Sequence, residues 1–421
     1  MKKVLMCVGG GLALSIALTS TVFAGAIENK TNWSAEYIRT LNRNAATDYA
    51  DIAMYNPAGT VKLTEGFTLN GTIQFLSKEY ENIINGTSFE SDEPSYIPGI
   101  FGVYNKGKWS LYGAFSNVAG GGKVDFGQGN WTTRQAIGYL SLFTGLPGSI
   151  PSQQLTGESF YLGYTLGGAY AVNDMLSFSV GIRYVDAHKE ASGAVNYTGL
   201  PEPALINYEQ DGDGWGGIFG VNLTPNDKLN IAMRVETKTK IDLDTKVIQD
   251  TTESWLSLVP APSLLAALGI VNGTSTPRDL PAILALGGSY WLTPKLRTEI
   301  NLTYYFNENA DWGGLESGVD NGYDTGITFE YHFNDKLLAS IGYMYTKLGV
   351  DPPDMLPENP ELDVNTLGGG IAYAFTENFH TNFSIGNSFY KDDSFTPVPG
   401  TSVEYKKNVS FVVLGVEYRF M

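Results

Sequence analysis

The sequence predicts an all-β fold: a 14-stranded antiparallel transmembrane β-barrel with an N-terminal hatch (plug) inside its lumen. Three observations predict it. Segments of alternating apolar and polar residues fill the chain from Gly66 to Phe420, and period two is the strand period. The connections between them are alternately tiny and long, as in a barrel with tight periplasmic turns and long outer loops. The chain also opens with a secretory signal, yet no later stretch reaches the roughly eighteen apolar residues that a membrane helix needs.

The signal covers residues 1–24. Lys2 and Lys3 give it a positive start, Val4 to Leu18 an apolar stretch, and Val22-Phe23-Ala24 a small-residue cleavage site. The mature chain is expected to start at Gly25, or at Ile27, because Ala24-Gly25-Ala26 also fits. Cys7, the one cysteine, lies in the signal. The mature protein is therefore expected to have no disulfide and no cysteine-based redox or metal chemistry; no cofactor and no metal are expected. Loss of Lys2 and Lys3 moves the net charge from −17 to −19. So acidic a chain lacks the basic face that nucleic acid requires.

Residues 25–65 show no alternation and are too polar to span a membrane. Asn42-Arg43-Asn44-Ala45-Ala46 and Asn56-Pro57-Ala58-Gly59 dominate this stretch. Asn-Pro starts turns, and Gly59 can release the chain into the barrel wall. Apolar and aromatic residues (Trp33, Tyr37, Ile38, Leu41, Tyr55) argue against a disordered tail. The expected place for residues 25–65 is inside the lumen.

The barrel is expected over residues 66–421. Its strands are read at 66–82, 95–105, 108–118, 158–173, 175–190, 204–224, 228–249, 280–293, 295–309, 321–334, 336–349, 364–376, 378–391 and 403–420. In the first, Phe67, Leu69, Ile73 and Phe75 form the apolar face, opposed by Thr68, Asn70, Thr72 and Gln74. Mid-strand charges at Arg183, Arg234, Glu236, Arg297, Glu299, Glu330 and Glu417 suit a wide lumen rather than a packed core. Aromatic residues crowd the short turns, among them Trp109, Tyr170, Phe178, Phe333, Phe375 and Phe420. They read as a headgroup-level girdle.

The long outer loops are expected at 119–157 and 250–279. Both are unusually apolar. The first carries Ile137, Leu140 and Phe143; the second carries Trp255, Leu256, Leu258, Val259, Leu264, Leu265 and Leu268. Their spacing suits short amphipathic helices, and exposed apolar patches mark contact with a ligand, partner or membrane. The alternative is that the loops pack on each other. Val118-Ala119-Gly120-Gly121-Gly122 closes the third strand, and glycine in or beside a strand marks a bulge, a bend or a loop start. Lys123 is followed by Val124, so the run is no phosphate loop. Asp211-Gly212-Asp213-Gly214 lacks the remaining calcium-loop ligands and reads as a solvated hairpin.

Ser34-Ala35-Glu36-Tyr37, Asn42 to Ala46 and Tyr55-Asn56-Pro57-Ala58-Gly59 together resemble the N-terminal hatch of the FadL-type transporters of hydrophobic compounds. Gly214-Trp215-Gly216, Pro225 ahead of the strand with Arg234, and Leu280-Pro281 carry the resemblance along the chain. The family's Tyr-Arg-Ser is here Met233-Arg234-Val235, and its proline after the third strand is absent. The resemblance implies passive uptake of hydrophobic small molecules across the Gram-negative outer membrane. Ligand would be captured in the outer loops, pass to a plugged lumen pocket, and leave sideways into lipid at the glycine run. A carboxylate ligand would need an inward cation such as Arg183, Arg234 or Arg297; fatty acids and neutral hydrocarbons both stay open. The expected partners are the hydrophobic ligand, outer-membrane lipid and the barrel-assembly machinery, with the chain a monomer. The competing readings are an outer-membrane enzyme acting on lipids and a general porin.

Overall fold

The computed structural model describes residues 34–144, 152–197, 202–256 and 261–420. The expected signal and the hatch residues before 34 lie outside them. A closed 14-strand antiparallel barrel forms the body. Its strands are β1 Gly66–Ile84, β2 Ser95–Lys106, β3 Trp109–Phe126, β4 Ser152–Ala171, β5 Leu176–Asn196, β6 Ala204–Asn226 and β7 Leu229–Glu236. They continue as β8 Ile283–Thr293, β9 Leu296–Tyr305, β10 Gly322–His332, β11 Leu337–Lys347, β12 Val364–Ala374, β13 Phe379–Tyr390 and β14 Thr401–Phe420. Each pairs with the next, and β1 closes on β14 from Phe67↔Phe420 to Ile84↔Val403. Closure leaves no free sheet edge in lipid, where an unpaired N–H or C=O is costly.

The alternation read from the sequence sets the two faces. Phe67, Leu69, Ile73 and Phe75 point outward, while Thr68, Asn70, Thr72 and Gln74 are buried inside. Aromatic rings pair at the short turns: Phe67 packs on Phe420, Tyr104 on Trp109 and Phe375 on Phe379, each pair with ring centroids 5.7 Å apart.

Three expected boundaries are corrected. The third strand does not stop at Val118 but runs to Phe126, and β4 starts at Ser152, so the first outer loop is shorter than 119–157. Gly120 and Gly122 take left-handed φ of 96° and 71°, which lets the strand absorb extra residues and resume pairing. The segment expected at 228–249 is two strands. β7 ends at Glu236, and Asp242–Asp250 folds over onto the upper half of β6. Gly212 and Gly214 permit this: a Cβ there would lie 2.3 Å from the Asp242 carbonyl and 2.1 Å from that of Lys240. For the same reason Asp211-Gly212-Asp213-Gly214 is not a hairpin. It lies within β6, paired with β5 from His188↔Asp211 to Val185↔Gly214.

Candidate functional site

The hatch fills the lumen. Every residue from 34 to 61 is buried except Thr47 and Asp48. Helix α1, Ala35–Thr40, starts at Ser34, whose hydroxyl accepts the Tyr37 amide, and ends at Leu41 with φ 52°. Helix α2, Ile52–Tyr55, leads into a 3-10 turn, Pro57–Lys62, with proline at its start, where no N–H is needed. The hatch residues singled out in the sequence all take part. Asn42 donates to Thr328 at 2.7 Å. Arg43 forks onto Asp51 at 2.6 and 3.1 Å. Asn56 Nδ2 reaches the Ala46 carbonyl at 2.9 Å and Asn222 at 2.8 Å. The Ala58 carbonyl accepts from Ser177 at 2.6 Å. At Gly59 a Cβ would sit 2.6 Å from Asn56 Nδ2.

Wall glycines let the hatch approach the strands closely. A Cβ on Gly342 would lie 2.1 Å from the Thr40 carbonyl, one on Gly368 2.3 Å from that of Ile38, and one on Gly287 2.6 Å from the Ala45 nitrogen. Charges complete the seat. Glu299 accepts the Ala45 amide at 2.9 Å and Glu417 that of Ala50 at 2.8 Å. Glu330 binds Arg39. Glu36 accepts from Asn70 at 2.7 Å and Asn382 at 2.9 Å. Burial, with Asp51 nearby, pushes the Glu36 carboxyl up to about 8 against the opposing pull of Arg43.

Two small cavities lie between the hatch and the outer loops. One, of about 70 Å³, is bounded by Tyr37, Met54, Tyr55, Arg183, Arg234 and Glu236. The other, of about 90 Å³, is bounded by Leu76, Lys78, Tyr80, Tyr390, Lys407 and Val409. Met344 borders both. The lumen arginines are all ion-paired. Arg183 and Arg234 share Glu236 at 2.6 and 3.0 Å, and Arg297 meets Glu330 at 3.2 Å and Asp48 at 3.5 Å. Arg183 and Arg234 thus share one counter-charge, while Arg297 faces two carboxylates.

The glycine run is a double bulge. β3 pairs with β4 at Asn117↔Leu162, Ala119↔Tyr161 and Gly122↔Ser159, with a register shift at each step. Pairing of β3 with β2 ends at Gly99↔Ser116; above it, Ser95–Pro98 of β2 pair with β1. The wall thus loses its ladder between β2 and β3 beside the bulge. Val118 lines the first cavity and Gly121 the second. Lys78 bridges the interval, donating to the carbonyls of Gly121 at 2.9 Å and Lys123 at 2.6 Å. Ala119 and Gly120 are buried in the same stretch.

Among the described residues, the outer apolar side chains singled out in the sequence do not form an open patch. Helix α3, Trp131–Thr144, and helix α5, Leu264–Ala267, pack together with the upper ends of β5 and β6. Ile137, Leu140, Leu264, Leu265 and Leu268 are all buried in this cluster. Mutual burial removes their apolar area from water, and this corrects the expectation of an exposed surface. Trp255 and Leu256 belong to helix α4, Thr252–Leu256, and Phe143 to α3, but their side chains, with Leu258 and Val259 entire, lie outside the described residues.

The sequence reading passed over Lys78, Lys407 and the loop Met355–Leu362. The lysines stand on the inward phase of β1 and β14, the same signal that pointed to the arginines. Nothing in the sequence marked the loop, all of which is buried.

A family model described as outer membrane protein transport protein (OMPP1/FadL/TodX) matches residues 158–421. Solved structures share the fold. A Pseudomonas aeruginosa FadL homologue aligns with TM-score 0.70 at 12% identity, over 93% of this chain and 99% of its own. The Pseudomonas putida toluene transporter TodX aligns with TM-score 0.63 at 14% identity, over 89% and 96%. The Ralstonia pickettii toluene transporter TbuX aligns with TM-score 0.63 at 15% identity, over 92% and 98%. A search of curated proteins finds no match.

Proposed function

The chain belongs to the outer membrane protein transport family (OMPP1/FadL/TodX), and on that premise we propose that it carries hydrophobic small molecules passively, from capture among the outer loops, through the lumen cavities, to sideways exit into lipid. The observation that supports this route most is the position of the bulged strand. Val118 and Gly121 border the two cavities in turn, at the height where β3 has left its ladder with β2. The driving force is apolar transfer, about 0.8 kcal/mol per buried methylene, and no energy coupling is required.

The cavities bear on mechanism. A void of about 150 Å³ holds benzene, and these measure about 70 and 90 Å³. Passage therefore needs the hatch or the outer loops to yield. The porin reading is disfavoured by the hatch, whose residues 34–61 fill the lumen. The test compares liposomes with and without the purified protein. Accelerated uptake of toluene or hexadecanoate, with no added leak of a sugar-sized polar solute, is the expected result. A sugar leak without hydrophobic uptake would make the protein a porin.

A further inference from the structure

The barrel wall is unlaced at a second place, away from the glycine run. The ladder between β7 and β8 ends at Ile283↔Glu236. A single bridge, Thr239↔Leu280, then takes up the same register, with hydrogen bonds of 3.0 and 2.9 Å. Between the two, that register puts Thr237 opposite Ala282 and Lys238 opposite Pro281. Among the described residues, neither pair is joined by a backbone hydrogen bond. Thr237 turns its N–H to the Gly217 carbonyl of β6 at 2.9 Å, and the Ala282 carbonyl accepts the Phe306 amide at 3.0 Å. Pro281 has no N–H to give. About 10 Å of wall, the rise of three strand residues, is left as a seam without a ladder.

The seam borders the lumen. Thr237, Thr239, Leu280, Pro281 and Ile283 all line the first cavity, the one that Val118 of the bulge also reaches. Thr237 is exposed as well as lining. Outside, aromatic rings flank the seam. Trp215 of β6 is exposed on one side, and on the other Tyr304 and Phe306 pack with ring centroids 5.0 Å apart. Such rings belong at the lipid headgroup level.

One ion pair spans the seam. Lys238, just past β7, places Nζ 2.8 Å from Oδ2 of Asp279, just before β8, and donates to the Asn309 carbonyl at 3.1 Å. Asp279 is buried and fixed by backbone, accepting the Ile241 amide at 3.3 Å and the Asp311 amide at 3.1 Å. Lys238 is 30% exposed. The aspartate is thus the fixed half of the pair and the lysine the movable half.

We propose that this seam is a second side passage, joining the first cavity to lipid between β7 and β8, and that the Lys238–Asp279 pair is its latch. The proposal rests on the transport reading above and adds a route to it. Thr237, Thr239, Pro281 and Ile283 offer apolar surface and two hydroxyls, which suits an uncharged hydrophobic molecule; a charge would be costly there. With the pair made, the passage is shut and the bulge carries most of the traffic. When Lys238 swings out to water, the bridge Thr239↔Leu280 alone ties the two strands above Glu236, and the seam can part.

The test measures toluene entry into liposomes that carry the full-length protein. The bulge is first closed by oxidising a Ser95→Cys, Gly122→Cys pair, since a Cβ at Gly122 would lie 3.3 Å from that of Ser95. In this background Lys238→Met is expected to speed entry at least about threefold, the shift that loss of a partly exposed ion pair gives a closed state. Lys238→Arg, which keeps the charge, should leave entry at the level of the stapled parent. A second readout needs neither staple nor latch variant. Thr237→Cys, labelled by a maleimide dissolved in the lipid, should react more slowly when toluene is saturating. Absence of a gain in entry from a folded Lys238→Met protein, or labelling indifferent to toluene, overturns the proposal while leaving the transport reading intact. Absence of toluene entry through the unstapled wild type overturns the transport reading itself.

Discussion

Arg297 on β9 places its Nε 3.2 Å from Oε1 of Glu330 on β10, and the second oxygen of that carboxylate is bound by Arg39 of the hatch. All three side chains are buried. Glu330 is thus the anion that ties the cation of the plug to the cation of the wall.

Removing it should be costly. Glu330→Ala leaves two buried guanidiniums facing each other, and breaking a buried pair in this way costs about 3–5 kcal/mol. The variant is expected to lose its heat-resistant folded band at a lower temperature. It should also release the hatch to protease added from the periplasmic side. An unchanged midpoint and an intact hatch would show that Glu330 does not anchor the plug.

The glycine seat gives a second prediction. Gly342→Val and Gly368→Val put methyl groups where the Thr40 and Ile38 carbonyls now lie, with Cβ overlaps at 2.1 and 2.3 Å. Overpacking of this kind costs about 1–3 kcal/mol, and here the hatch can relieve it by moving. The barrel should still insert, and ion conductance should rise. Gly288→Ala is the control: its nearest neighbour is 3.9 Å away, and conductance should stay at the wild-type level.

Hatch docking should weaken as pH rises. The Glu36 carboxyl is pushed from 4.5 up to about 8, chiefly by burial and then by Asp51. Between those values the docked state keeps a proton that the undocked chain has lost, so alkalinity favours undocking. The effect is absent below about 4.5 and complete above about 8. Conductance measured from pH 5 to 8 should climb in the wild type. Glu36→Gln, which keeps one acceptor toward Asn70 and Asn382 and cannot ionise, should flatten the climb. An equal slope in both proteins would mean that another group controls docking.

The side exit can be stapled. A Cβ at Gly122 would lie 3.3 Å from that of Ser95, close to the separation of a disulfide. The sequence has a single cysteine, Cys7, inside the expected signal. Ser95→Cys with Gly122→Cys should therefore cross-link β2 to β3 cleanly. Oxidised protein is expected to lose most hydrophobic uptake and to recover it on reduction, while surface capture persists. Full uptake in the oxidised form would route the ligand elsewhere.

Much of this molecule was written in local pattern. Alternation such as Phe67-Thr68-Leu69-Asn70 determined the strands and their inward and outward faces, because a side chain's face in a strand depends only on its parity. The turns, the girdle and the hatch motif were legible for similar reasons: each is a short stretch whose residue types dictate its backbone or its environment. Tertiary structure alone decided what depends on residues distant in the chain. Whether Arg183 was a free cation depended on Glu236, 53 positions away. Whether Leu140 and Leu265 met a ligand or each other depended on two loops folding together. Gly120 and Gly122 could have opened a loop. The carbonyl of Ser159, lying where a Cβ of Gly120 would be, and the ladder resuming at Gly122 made them a bulge within a longer strand. The loop Met355–Leu362 carries no local signal of burial; it is buried because Asn82, Asn130 and Lys407, from three separate parts of the barrel, converge on its backbone and side chains.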